Sequence, residues 1–263
     1  MDGIWLVAGL ALLPGAGNFA GGMVAEFGRT TPRLLNLALH AASGIVIGVV
    51  AIELMPEAID NLAGWWIAVC LTLGGLAYIG LEMLTERMAP SGIGAGGTSA
   101  MWMIYIAVAI DLSSDGLMIG SGSAVATSLA IVLTAGQVLA DIPEGYSVVA
   151  NLREKGVARR TRIFVSLSFI AYCLVAAVLA YALLRSAPNV AKYAALSFAA
   201  GLLSVAAVED MLEEAHEAKG DSRSSVLAFI GGFALFALVS AGLESVVGSA
   251  PTLETATTSM GES

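Results

Sequence analysis

The chain has 263 residues, of which 57% are hydrophobic and only 13% are charged, and its formal net charge is −9. A soluble globular domain has about 25% charged residues, so this composition lacks the polar surface that a water-soluble fold needs. The negative charge, without a basic patch that interleaves aromatic residues, argues against a nucleic-acid partner. Cys70 and Cys173 each stand alone in an apolar stretch and imply neither a disulfide framework nor a thiolate metal site.

Eight apolar stretches along the chain are each long enough to cross a hydrocarbon core of about 30 Å. They cover residues 4–23, 34–55, 62–84, 100–122, 124–149, 163–184, 193–212 and 226–243. Continuous runs of this length predict membrane-spanning helices rather than the short alternating strands of a barrel. We therefore predict an all-α, eight-helix transmembrane domain over 1–250, followed by a polar, frayed tail over 251–263. No basic residue precedes the first stretch, so we expect a retained helix rather than a cleaved signal peptide.

The segments that connect these eight spans differ sharply in charge. Ten of the twelve Lys and Arg residues follow spans one, three, five and seven, and only Arg185 and Lys192 lie on the other side. Lys and Arg concentrate on the cytoplasmic side of a membrane. The pattern predicts a multi-pass protein of the cell (inner) membrane with both termini extracytoplasmic, which agrees with an even number of spans. The Gly- and Ser-rich segment 88–99 predicts a flexible connection.

A weak internal repeat relates the second and seventh spans. Residues 43–58 align without gaps with residues 200–215, although the two spans run in opposite directions. This predicts an inverted pseudo-repeat of spans one to three against spans six to eight. Inverted repeats are typical of transporters, which bind their substrate at the repeat interface.

The most informative residues are four carboxyls near the centres of spans four and five: Asp111, Asp115, Asp141 and Glu144. Each carboxylate at that depth costs about 2.5–3.5 kcal/mol. Neither span contains a Lys or Arg, and the other spans offer no central base. Bound cations, protons or water must therefore compensate these charges.

The spacing of the four carboxyls favours one shared site. The pair in span four is four residues apart and the pair in span five is three apart, so each pair occupies one helix face. The very short turn between these spans makes them antiparallel neighbours. Oxygen ligands that converge there suit a divalent cation. Ser114 and Gln137 border the faces and are further possible ligands, or residues that hold helices together. Pro143 removes one helical hydrogen bond and frees the carbonyl of Leu139.

The motif in span five resembles that of a known family. Residues 141–145 (DIPEG) resemble the fifth-helix signature H/N-D/N-x-P-E-G of the ZIP family of divalent metal transporters, and residues 111–116 (DLSSDG) fall where that family has H-N-x-P-E-G. The resemblance implies a binuclear metal centre between helices four and five, transport of a divalent metal toward the cytoplasm, and a homodimer. It also implies that helices one, four, five and six move against helices two, three, seven and eight.

Several family ligands are replaced in this chain. Asp111 stands for the family histidine, Asp115 for its glutamate, and Ala140 for another ligand, while span six contains no carboxylate. Carried over residue by residue, the resemblance assigns one metal to Asp111, Asp115 and Glu144. It assigns a second, depleted position to Asp141 with two of the same carboxyls, so a single bound metal is consistent with it. An all-oxygen set is more permissive to manganese or iron(II) than a zinc site with imidazoles, which leaves zinc, manganese and iron(II) open.

Acidic clusters near two helix ends predict either an ion pathway that attracts cations electrostatically or simply solvated helix ends. These residues are Glu53 and Glu57 at the outer end of span two, and Glu209, Asp210, Glu213, Glu214 and His216 near the inner end of span seven. His40 lies in an apolar stretch and is expected to be a hydrogen-bonded core residue.

Two other functions compete with transport. Asp111-x-x-x-Asp115 resembles half of the aspartate motifs of intramembrane, magnesium-dependent prenyltransferases, but no Lys or Arg stands nearby to neutralise a diphosphate. A metal sensor that binds without transport is the other alternative. We expect a protein that is not an enzyme, with a divalent cation as substrate and no organic cofactor.

Overall fold

The structure, a computed structural model, describes residues 2–88, 96–218 and 223–247, and these residues are helical apart from short connections. The helices are α1 (Asp2–Phe27), α2 (Pro32–Val49), α3 (Met55–Asn61), α4 (Gly64–Met88), α5 (Gly96–Val125), α6 (Thr127–Glu154), α7 (Arg159–Leu184), α8 (Asn189–Ala206), α9 (Glu213–Ala218) and α10 (Arg223–Val247). The all-α prediction is therefore confirmed for the described part of the chain. The predicted tail 251–263 lies outside it. Most of segment 88–99, predicted as a flexible connection, also lies outside the described residues, but residues 96–99 belong to α5.

Two π-helical turns continue long helices past the middle of the bundle. Val50–Leu54 joins α2 to α3, and Ala207–Leu212 joins α8 to α9. Each turn carries one partly or fully buried acid, Glu53 in the first and Asp210 in the second. These two acids occupy matching positions of the repeat that the sequence predicts. π-helical turns often occur at functional sites.

Seven of the described helical spans are long and apolar enough to cross a membrane: Gly3–Phe27, Pro32–Asn61, Gly64–Thr85, Met101–Val125, Arg159–Leu184, Asn189–Leu212 and Arg223–Val246. Seven of the eight predicted spans thus correspond to such helices. The remaining predicted span, span five, corresponds to α6. This helix has 28 residues but is less apolar than the others, because Asp141 and Glu144 lie in its middle. Most of its side chains are buried against other helices.

The acid-bearing helices α5 and α6 lie where two groups of helices meet. In one group α6 packs along α1, and α5 along α7, while α1 also packs on α7. In the other group α2 pairs with α10, and α4 pairs with α8. The groups meet mainly where α2 contacts α6 and where α5 contacts α8. A relative movement of the two groups would therefore change the surroundings of a site on α5 and α6.

Candidate metal site

The structure brings the four central carboxyls together between α5 and α6. Ala126 alone separates the two helices, which run antiparallel as predicted. Asp111 is 5% exposed, Glu144 is 7% exposed, and Asp115 and Asp141 are fully buried. The side chain of Asp111 interacts with that of Glu144, and the side chain of Asp115 with that of Asp141. We call Asp111 and Glu144 the inner layer, and Asp115 and Asp141 the outer layer.

The inner layer lies on a large cavity. This cavity has a volume of about 1100 Å³, and both Asp111 and Glu144 line it. Its lining continues to Thr30 in the α1–α2 connection and to Lys155 just after α6. We call this end of the bundle the basic end, because its connecting segments carry most of the Lys and Arg residues. The cavity therefore links the inner layer to the basic end.

The outer layer is closed off on its far side. The Nε2 amide of Gln137 donates a hydrogen bond to Oδ1 of Asp115, so Gln137 is one predicted residue that reaches the acids. Gly136 is the next residue toward the α5–α6 turn, and a Cβ atom there would overlap the side chains of Val49 and Phe236. The α6 backbone therefore packs tightly against these two side chains. Both of these apolar side chains are fully buried. A packed apolar layer thus separates Asp115 and Asp141 from the end opposite the basic end.

The four carboxyls have few groups that could neutralise them. Among the described residues, both oxygens of Asp141 and one oxygen each of Asp111 and Asp115 are buried without a hydrogen-bond partner. The charged neighbours that act on these acids are other carboxyls, including Asp210. No Lys or Arg of the described residues is among the charged groups that act on the four acids. Unpaired charges in such an interior are strongly unfavourable unless a cation joins them.

Two carboxyls in a layer do not by themselves complete a metal site. Over the residues that the structure describes, no three His, Cys, Asp or Glu side chains are arranged so that they could hold a metal ion. A hard divalent cation takes six or more oxygen ligands. A cation in either layer would therefore need additional oxygens from amides, backbone carbonyls or water.

Ser114 is placed differently from Gln137. Its hydroxyl donates a hydrogen bond to the carbonyl of Ile110 at 3.0 Å. It also lines a separate, mainly apolar groove of about 450 Å³ between α4, α5, α7 and α8. The structure thus does not bring Ser114 to the cavity of the inner layer, although the residue borders the acids in sequence. Pro143 lies inside α6, which continues through it.

The acids predicted near the inner end of span seven meet the cavity. Glu209, Asp210 and Glu213 all line it. Asp210 accepts a hydrogen bond from the Tyr78 hydroxyl, and Tyr78 lines the cavity as well. Nothing is described for the side chain of Glu214. The cavity therefore has an acidic wall formed by residues of the second π-helical turn and α9.

His216, the histidine of the same cluster, is exposed and lies outside the cavity lining. Its ring packs edge-on against the ring of His40, with 5.6 Å between the centroids. Nδ1 of His40 lies 2.8 Å from the carbonyl oxygen of Asn36, so the prediction of a hydrogen-bonded core histidine is confirmed.

Glu53 and Glu57, the acids predicted at the end of span two, do not line this cavity. Glu53 is buried and accepts a hydrogen bond from the Ser240 hydroxyl on α10. Glu57 is half-buried in α3. The structure thus places these two acids away from the open side of the site.

Sequence reasoning missed two residues of this region. Asn18 on α1 donates a hydrogen bond from Nδ2 to Oε2 of Glu144, with 3.4 Å between the atoms. Tyr78 on α4 reaches Asp210 from a span that carries no predicted site residue. The available signal for Asn18 was an isolated amide in an apolar, glycine-rich span.

The fold and the site together define a helical, multi-pass membrane protein with a buried acidic cluster at the closed end of a cavity. No protein-family model matches the chain. A stretch of 90 residues is 34% identical to the zinc transporter ZupT of Lysinibacillus sphaericus (strain C3-41). This match covers 31% of the chain and 34% of that protein, so the chain spans about a third of the length of the curated relative that it matches.

Proposed function

We propose that this chain is a ZIP-type transporter that carries a divalent metal cation into the cytoplasm through the two carboxyl layers between α5 and α6. The observation that carries this proposal is the inner layer: two buried carboxyls, without a basic partner among the described residues, at the end of a cavity that reaches the basic end. The local similarity to a zinc transporter supports it, as does the DIPEG motif in α6.

The layers suggest a route for the cation. Asp115 and Asp141 are sealed on the far side by apolar packing, whereas Asp111 and Glu144 are open to the cavity. A cation that moves from the outer to the inner layer would exchange one carboxyl pair for the next. It would then leave past Glu209 and Asp210, whose negative charge keeps cations concentrated in the cavity. In this proposal the structure corresponds to a state that is open toward the cytoplasm.

The predicted inverted pseudo-repeat is supported by matching contacts in the two halves. Glu53 on one π-helical turn accepts a hydroxyl hydrogen bond from Ser240 on α10. Asp210 on the other accepts one from Tyr78 on α4. α2 pairs with α10 as α8 pairs with α4, and α2 meets α6 as α8 meets α5. We infer that spans one to three and six to eight are equivalent halves, related by an axis that runs between α5 and α6.

The close helix approaches follow the same correspondence. A Cβ atom at Gly44 of α2 would overlap the Phe229 carbonyl oxygen of α10, and one at Gly201 of α8 would overlap the Leu71 carbonyl oxygen of α4. Gly44 and Gly201 are aligned positions of the repeat. Small residues at such contacts let helix backbones approach closely in a membrane.

The ligand chemistry favours oxygen-preferring metals. The four carboxyls and the Gln137 amide offer only oxygen as a ligand atom. Such a set binds manganese or iron(II) as readily as zinc. We therefore keep zinc, manganese and iron(II) as substrates. One or two bound metals and a homodimer remain predictions.

The contacts favour transport over the prenyltransferase alternative. That chemistry needs basic side chains beside the acids to hold a diphosphate. The charged groups that act on the four carboxyls are instead carboxyls. Arg153 and Lys155 line the cavity only at its basic end.

Metal uptake into proteoliposomes tests the proposal. We expect the wild type to take up Mn²⁺, and Glu144→Gln and Asp115→Asn each to reduce the rate to that of empty liposomes. Asp60→Asn, which neutralises an exposed acid on α3, should transport like the wild type. A wild type that takes up none of Mn²⁺, Fe²⁺ and Zn²⁺ would refute transport, and binding of a metal without uptake would identify a sensor.

A further inference from the structure

A third helix contributes a polar side chain to the inner layer. Asn18 of α1 is 1% exposed, and its Nδ2 lies 3.4 Å from Oε2 of Glu144. Its other polar atom, Oδ1, is buried and has no hydrogen-bond partner among the described residues. Buried amide oxygens are rarely left unpaired, because the unmade hydrogen bond costs about 1–3 kcal/mol. This oxygen is therefore available to a ligand.

Backbone packing holds Asn18 beside the acids. A Cβ atom at Gly145, the residue after Glu144, would overlap the backbone carbonyl of Asn18. One turn further, a Cβ atom at Gly21 would overlap the carbonyl of Ile142. The backbones of α1 and α6 thus touch at Asn18 and again one turn after it, and this close contact limits the movement of Asn18 away from Glu144.

An amide suits the ligand position that the two carboxyls leave open. Asp111 and Glu144 supply two charged oxygen ligands, whereas hard divalent cations need several more. An amide carbonyl adds an oxygen without adding negative charge to a buried acidic cluster. Rotation about the Cβ–Cγ bond of Asn18 exchanges its amide nitrogen and oxygen. The nitrogen would face Glu144 when the layer is empty, and the oxygen would face the cation when it is occupied.

We propose that Asn18 is a ligand of the transported cation, and that it completes the inner layer together with Asp111 and Glu144. This inference rests on the proposed function. It gives α1 a direct role in binding, although the sequence-based site consists only of residues from α5 and α6. It also supplies a third helix to the site in a chain whose sixth span has no carboxylate.

The test compares Mn²⁺ binding to purified full-length variants by isothermal titration calorimetry. Asn18→Leu keeps the approximate size of the side chain but removes its oxygen, and we expect Kd to rise at least about tenfold, as for other losses of metal-site hydrogen bonding. Asn18→Asp keeps an oxygen and adds a charge, so it should bind Mn²⁺ more tightly than the wild type, with a lower Kd. Ser166→Ala is the matched control, because Ser166 is buried beside α1, has no hydrogen-bond partner for its hydroxyl among the described residues, and lies outside the acidic layers.

The outcomes separate this inference from the proposed function. A wild type that binds none of Mn²⁺, Fe²⁺ and Zn²⁺ contradicts the proposed function itself. A wild type that binds Mn²⁺, together with a folded Asn18→Leu variant of unchanged Kd, overturns only the role of Asn18. If Asn18→Leu does not fold, Asn18→Asp decides: a lower Kd for Mn²⁺ supports a ligand role, and an unchanged or higher Kd overturns it.

Discussion

Replacing Asp141 by asparagine is expected to stabilise the cation-free protein and to abolish its stabilisation by metal. Asp141 is fully buried, and neither of its oxygens has a hydrogen-bond partner among the described residues. A charge at that depth costs about 2.5–3.5 kcal/mol, whereas a buried amide with unmade hydrogen bonds costs about 1–3 kcal/mol. The midpoints of these two ranges differ by about 1 kcal/mol, so we expect Asp141→Asn to raise the free energy of unfolding by about 1 kcal/mol.

Thermal unfolding in detergent, followed by tryptophan fluorescence, measures this effect. For a chain of this size 1 kcal/mol corresponds to about 2–4 °C, so Tm in EDTA should rise by about 2–4 °C. A divalent cation at about 100 times its Kd should add about 2.7 kcal/mol to the wild type and almost nothing to the variant. The two curves should therefore change order when Mn²⁺ is added.

The matched control is Asp60→Asn, which neutralises an exposed acid and should leave both Tm and the metal response unchanged. A lower Tm for Asp141→Asn in EDTA would mean that the carboxyl stabilises the empty protein. An undiminished Mn²⁺ shift in the variant would mean that Asp141 does not contribute to cation binding. Either result refutes the reasoning that a mobile cation compensates this acid.

Two further substitutions test the packing around the site. Gly145→Leu should lower Tm, because the new side chain would overlap the α1 backbone and overpacking costs about 1–3 kcal/mol. Gly9→Leu is the control and should leave Tm unchanged, because no atom lies within 4 Å of a Cβ at that position. Equal Tm values for the two variants would contradict the contact between Gly145 and α1. Arg162→Ala removes the side chain whose Nη2 lies 2.7 Å from Oε1 of Glu26. This variant should lower the free energy of unfolding by at most about 3 kcal/mol, since Arg159 still approaches the same carboxylate at 3.3 Å. Chemical denaturation measures the free energy of unfolding. An unchanged value would show that the Arg162–Glu26 ion pair does not stabilise the protein.

The spans were predictable because continuous apolar runs leave the backbone no alternative to a helix in a membrane. The residues at which the helices begin and end were harder to predict. α7 begins at Arg159, four residues before the predicted span, because Arg162 is buried by its hydrogen bonds to Glu26 rather than exposed in a loop. That contact joins residues 136 positions apart in sequence. Local hydropathy cannot indicate such a contact.

The site was predictable where it depends on helical spacing, and not where it depends on packing. The four carboxyls share faces because of their separations, and the short turn between α5 and α6 brings those faces together. Ser114 neighbours Asp115 in sequence, but successive residues of a helix point about 100° apart, and this one faces a different groove. Asn18 reaches Glu144 through a contact between residues 126 apart in sequence, which only the packing of α1 on α6 reveals.

The proposed equivalence of the two halves leads to a last prediction about access. Glu53 and Asp210 accept the same kind of hydroxyl hydrogen bond, yet only Asp210 lines the cavity. We therefore expect the packing of the two helix groups against each other, rather than local bonding, to determine which side of the site is open. If the groups move, Tyr78→Cys should react with a membrane-impermeant thiol reagent from the cytoplasmic side and Ser240→Cys from the outside, in a background without the two native cysteines. Adding Mn²⁺ should change the two labelling rates in opposite directions, because opening one side closes the other. Rates that rise or fall together, or a Ser240→Cys that never reacts, would contradict alternating access in this chain.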